Sequence, residues 1–261
     1  KPLSRVAQYQ NKVFDVEKQN LKTYLDVDTE NNYYYSEVKG RELYFVNEGL
    51  KVPKYGQAEL VEAETSFTAY QEFQSMLTRD RIDIFMVGEF DDYQVLQALH
   101  RFPLEGRQVD LQFSYSQPYV NVVKEKIEPR QSSQSILQLG YQFSCQYGDK
   151  DYFALIVFNA MFGEFAHSAL FTTLREKEGL AYSISSQFDI FTGLLEVYAG
   201  IEKSNRNQAM RGISRELNYI KLGRFSSSLL NQTKKIIRMN ALLSEDHALT
   251  LVEQRFNKVI F

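Results

Sequence analysis

Residues 181–191 and 194–201 read as two strands that turn at Thr192-Gly193, with long helical stretches on either side. A return within two residues is antiparallel, because a parallel return needs a crossover of a dozen or more. Strands and helices therefore come in blocks, and the chain is α+β. An apolar helix over 151–162 and a second over 167–177 precede the hairpin. Before them, strands at 120–127 and 135–143, joined through Pro129-Arg130-Gln131-Ser132-Ser133, are expected to pair with each other. After the hairpin, Ser204 is the expected N-cap of a helix to Leu222. Another helix starts at Ser226 or Ser227 and runs to Leu243, and a last one reaches the chain end.

The first half is mostly helical. Val13, Phe14, Leu21 and Leu25 share one side of a first helix, and a second runs over 28–45 before Pro53 and Gly56 break the pattern. A third spans 59–79, with Val61, Phe67, Tyr70, Phe73 and Leu77 on one face, and a strand follows over 82–87. Asp91 is the N-cap of a short helix to Leu99, and the polar stretch from Pro103 to Pro118 reads as a linker.

The chain has 261 residues, against about 100–200 per domain, so two domains are expected, over 1–110 and 111–261. A shift of 216 positions (234 − 18 = 216) aligns Lys18 with Lys234, Glu37 with Glu253 and Phe45 with Phe261. Leu21 and Leu43 then fall on Ile237 and Val259, so helix type and apolar positions agree as well. The expected organisation is the back of a first repeat followed by the front of a second, in tandem, with the first truncated at its N-terminus.

The 33 acidic and 30 basic residues are intermixed and leave a net charge of −3, so no face is prepared for a phosphate backbone and nucleic acid is not an expected partner. The single cysteine, Cys145, cannot form an internal disulfide, and a reducing, cytoplasmic setting is expected. No run approaches the roughly 18 apolar residues of a membrane span. Lys1-Pro2-Leu3 has neither an initiator Met nor a signal layout, so the chain is expected to start within a longer protein.

The most distinctive run holds Gly163, Ser168, Leu170, Phe171, Arg175, Glu176, Lys177, Gly179, Leu180, Ala181 and Tyr182. It resembles the second domain of insulinase/pitrilysin-type zinc metallopeptidases, whose relatives include mitochondrial processing peptidase and core subunits of respiratory complexes. The resemblance implies tandem α+β domains, each an antiparallel sheet packed against helices. It also implies that Arg175 and Tyr182 reach toward the backbone of an extended peptide. A guanidinium fork suits peptide carbonyls, and a phenol can hydrogen-bond an oxygen. Arg175 could equally close a helix C-terminus, and Tyr182 could be an ordinary strand residue.

Departures from the family pattern decide the rest. Active members carry His-x-x-Glu-His on the first domain's long helix, and no such pentad occurs here. His100, His167 and His247 are not spaced as a helical zinc pair, and Glu164 with His167 makes too few ligands for a site. If Glu17 is the family's acidic helix residue, the third zinc ligand falls on Tyr24, an improbable ligand. Neither catalytic residues nor a metal are therefore expected in this chain. Zinc would lie on a partner or on a segment before residue 1.

The expected function is a non-catalytic subunit that binds extended peptide and completes the chamber of a zinc-bearing insulinase-type paralogue, as a homo- or heterodimer. Two alternatives stay open: a fragment of an active zinc metallopeptidase, and a structural core-type subunit without substrate binding. Peptide hydrolysis is implied by resemblance only, and the chain alone is expected to be inactive. Cys145, placed in an apolar strand, reads as packing rather than as a nucleophile.

Overall fold

The computed structural model describes residues 8–101, 109, 115, 117–119, 121–244 and 247–260. The chain divides into two compact units, one of residues 1–28, 54–112 and 244–261, the other of 29–53 and 113–243. Most of the expected linker falls outside the described residues.

The second unit holds the sheet. β1 (Ser135–Gln142), β2 (Ser183–Asp189) and β3 (Leu194–Ile201) form an antiparallel sheet in the order β1-β3-β2. β3 is therefore central, and its register runs Ser135↔Ile201 with β1 and Ser183↔Gly200 with β2. Side chains alternate between faces along a strand. Leu195, Val197, Ala199 and Ile201 accordingly enter the main core with Phe162, Leu170, Leu174, Ala209 and Ile213. The layer that closes this face comes from α7 (Tyr152–Asn159), α8 (Arg206–Lys221) and two π-helical turns at Ala160–Glu164 and Phe171–Lys177.

The opposite face receives α2 (Asn32–Tyr44), whose N-cap Asn31 accepts the Tyr33 and Tyr34 N–H groups. Here the even positions of β3 face α2 and are mostly buried. Glu196, 4% exposed, accepts hydrogen bonds from Gln138 Nε2 at 2.9 Å and Gln187 Nε2 at 3.3 Å. The Glu37 carboxyl on α2 is held up by burial and, secondarily, by the like charge of Glu196. Tyr33 bonds to Ser183, and the Arg130 guanidinium lies 4.1 Å from the centre of the Tyr35 ring. A short α3 (Glu48–Lys51) follows α2, and α9 (Ser227–Ser244) follows α8.

The first unit contains α1 (Asn11–Glu30) up to residue 28, α4 (Ala58–Ala63), α5 (Ser66–Arg79), α6 (Asp92–Leu99) and α10 (Ala248–Ile260). Lys18 Nζ donates to the Glu62 and Glu64 carbonyls at 2.6 and 3.1 Å, which ties α1 to the end of α4. Tyr9 meets Tyr70 edge-on at 5.6 Å, and Phe85 meets Phe256 at 6.1 Å, so α10 touches the segment 81–87.

Several expectations are corrected. Residues 82–87 take no regular secondary structure, and no strand pairs with them among the described residues, so they form no ladder. β1 pairs with β3, because the described residues of 121–134 form no strand and the register of β3 matches β1 over the whole length of both, from Ser135↔Ile201 to Gln142↔Leu194. The helix expected over 59–79 is two, because Thr65 stops α4 and caps α5 with a reciprocal box to Thr68. Ser204 does not cap α8. A 3₁₀ turn at Lys203–Asn205 leads into it instead. Cys145 lies beyond the end of β1 rather than within a strand.

Candidate functional site

Arg175 and Tyr182 sit on the two arms of one tight turn. The arm before it is the π-helical segment Phe171–Lys177, and its end is set by hydrogen bonds with unusual spacing. The Glu178 N–H reaches the Thr173 carbonyl at 2.9 Å, and the Leu180 N–H reaches the Leu174 carbonyl at 2.8 Å. Closing the helix this way requires a left-handed residue between them, and Gly179 supplies it at φ 61°. The chain then enters β2, with the Tyr182 N–H bound to the Gly200 carbonyl at 2.8 Å.

Packing pins the turn from below. Leu174 is fully buried and faces Gly212 of α8, while Arg215 of the same helix holds Glu178 in an ion pair at 2.7 Å. Arg175 and Tyr182 stay at the surface on this fixed base. The Arg175 guanidinium lies 4.5 Å from the centre of the Phe171 ring, which orients its fork without using its donors. Tyr182 is 56% exposed, and its hydroxyl donates to Glu202 Oε1 at 2.7 Å. That hydrogen bond, followed by partial burial, raises the phenol pKa.

Glu202 was not foreseen from the sequence. It follows Ile201 of β3, and only the β2–β3 register brings it beside Tyr182. A second unforeseen network lies under the first π-turn. Ser186 Oγ donates to buried Asn159 Oδ1 at 2.8 Å, and Asn159 Nδ2 donates to Glu164 Oε2 at 3.0 Å. Gly163 makes this approach possible, since a Cβ there would come within 2.7 Å of the Ser186 nitrogen.

Glu164 and His167 each bond to a different protein partner. Glu164 is committed to Asn159, whereas His167 Nε2 bonds to buried Thr233 Oγ1 at 2.9 Å and its ring stacks on Phe165. His100 caps α6, and His247 Nδ1 meets Thr250 Oγ1 at 3.3 Å. Tyr24, the position that the resemblance assigns to a zinc ligand, packs edge-on against Tyr55 at 5.4 Å. Among the described residues no group of three or more His, Cys, Asp or Glu side chains could hold a metal ion. Burial and the nearby Asp149 and Asp151 push the Cys145 thiol up, the wrong direction for a nucleophile.

A small antiparallel sheet with α2 on one face and, on the other, a helical layer that includes the π-helical arginine turn is the architecture of a metallopeptidase-like domain. The chain belongs to the insulinase-type M16 family, and its residues 69–237 match the peptidase M16 inactive domain. It is 33% identical over 246 residues to the probable inactive metalloprotease YmfF of Bacillus subtilis, covering 94% of this chain and 58% of that protein. A solved structure of a conserved protein from Enterococcus faecalis superposes with a TM-score of 0.93 at 35% identity, over 99% of this chain and 61% of that one. A protease from Helicobacter pylori shares the fold, with a TM-score of 0.74 at 17% identity over 95% of this chain and 62% of that one. The chain thus spans about three fifths of the length of these relatives. No helix among the described residues is long and apolar enough to cross a membrane.

Proposed function

We propose that this chain is part of a non-catalytic M16 subunit that grips extended peptide through Arg175 and Tyr182 and completes the chamber of a zinc-bearing paralogue, as a homo- or heterodimer. The observation that carries this reading is the turn itself. Two polar side chains are presented at the surface from a base fixed by Leu174, Gly179 and the Glu178–Arg215 ion pair. A pre-set pair of this kind costs little ordering on binding, and an arginine fork matches peptide carbonyls. Peptide held in one pose near a metal-bound water on the partner would react faster by orientation alone. Zinc would then belong to the partner or to a segment outside residues 1–261.

The tandem arrangement, with the first repeat truncated, is part of the same proposal. α2 spans 32–44 and α10 spans 248–260, a shift of 216 at both ends (248 − 32 = 216 and 260 − 44 = 216). α1 and α9 begin 216 apart as well (227 − 11 = 216). In the second unit α2 covers a sheet, whereas its counterpart α10 meets the unpaired segment 81–87 through Phe256 and Phe85. Ile82, Ile84 and Met86 on that segment are 42–49% exposed, apolar side chains that a paired sheet would cover.

The test is cleavage of a quenched fluorescent peptide library by the full-length protein, alone and mixed with its zinc-bearing paralogue. Activity only in the mixture, reduced about tenfold or more by Arg175→Ala, is expected, since charge-assisted hydrogen bonds contribute roughly 1.5–3 kcal/mol. Stoichiometric zinc together with cleavage by the protein alone would overturn the reading.

A further inference from the structure

Resting on the peptide-gripping reading, we infer that Glu202 is a positioning residue that commits the only hydrogen of the Tyr182 phenol, so that Tyr182 accepts a hydrogen bond from a peptide N–H instead of donating one to a carbonyl.

An ionised carboxylate can only accept, so in the 2.7 Å bond between Tyr182 Oη and Glu202 Oε1 the phenol is necessarily the donor. A phenol has one proton. With that proton engaged, the oxygen offers an approaching ligand lone pairs alone. The hydrogen bond to an anion also draws electron density onto the oxygen, in keeping with the upward displacement of the phenol pKa by Glu202. Arg175, stacked on Phe171, has the opposite character: five N–H donors and no acceptor.

The two side chains therefore differ in polarity. One serves a carbonyl oxygen and the other an amide N–H, which are the two groups that every non-proline residue of an extended chain presents. A contact of this type reads backbone without regard to side chain, and it excludes proline at one position because proline has no N–H. Both termini of the Tyr182–Glu202 bond are fixed by the sheet: the Tyr182 N–H is tied to the Gly200 carbonyl, and Glu202 follows β3 directly.

The experiment uses the full-length protein, a fluorescent unstructured dodecapeptide and its analogues with one amide at a time replaced by an ester, which removes an N–H while keeping chain geometry. Binding is read by anisotropy for wild type, Tyr182→Phe, Arg175→Ala, Glu202→Gln and Glu202→Ala. One ester position should weaken binding to wild type about tenfold and leave Tyr182→Phe unaffected. Glu202→Gln, which still accepts the phenol proton, should keep that ester sensitivity, and Glu202→Ala should lose it. The Tyr182 phenol should titrate at lower pH in Glu202→Gln than in wild type, a shift that a purely structural role for Glu202 would not produce. Loss at an ester position that persists in Tyr182→Phe, or ester sensitivity unchanged in Glu202→Ala, would overturn the inference while leaving peptide gripping intact. Equal peptide binding by wild type, Arg175→Ala and Tyr182→Phe would instead remove the gripping reading, and this inference with it.

Discussion

His167 shows how a residue that looks like a metal ligand can be settled by its surroundings. Its Nε2 bonds to fully buried Thr233, and burial lowers its pKa below the ordinary value of about 6.5. As pH falls, the unfolded chain takes up the proton first. The contribution is therefore fully present above about pH 6.5 and is lost as pH drops toward the folded-state value. In urea unfolding from pH 7.5 to 5.5, His167→Gln should show a shallower fall of stability than wild type. Identical slopes would mean that another group carries the acid sensitivity. At the same scale, the sequence singled out Arg175 and Tyr182 but not Glu202. The motif is contiguous, whereas Glu202 lies twenty residues from Tyr182 and becomes its neighbour only when β2 and β3 pair.

Elements were legible where one local force decided them. The hairpin of β2 and β3, the cap of α6 at Asp91, and α9 from Ser227 all follow from period and capping, which act within a few residues. The π-helical turns were not legible, because their extra residue is set by what lies beneath. Gly163 rides against the Ser186 backbone and Asn159 is bonded across to Ser186, so the wider turn fits β2 rather than any local preference. Gly163→Ala forces a Cβ to within 2.7 Å of a backbone nitrogen and should cost about 1–3 kcal/mol in urea unfolding. A cost under about half a kcal/mol would show that the first π-turn can slide on the sheet.

Across the whole molecule, burial is unequal. The main cluster of buried side chains, from Met161 to Ile220, lies in the second unit, while the described residues of the first have Leu25 as their one buried apolar side chain. Hydrogen exchange on the 261-residue chain should find the amides of β3 slowest and those of 82–87 among the fastest. In the full-length protein the proposal of a completed first repeat expects 82–87 to become protected. Fast exchange there in both would argue against a sheet over that segment.

The sequence by itself determined the α+β class, most helices, the hairpin, the family resemblance and the lack of a His-x-x-Glu-His motif, because each depends on residues close together along the chain. Only the tertiary structure decided that β1 pairs with β3, that 29–53 joins 113–243, and that Glu202 holds the phenol of Tyr182. Those choices depend on register and burial between segments a score or more residues apart. Local pattern leaves many such pairings open, and packing selects the one that buries the apolar face of β3 and satisfies its polar neighbours.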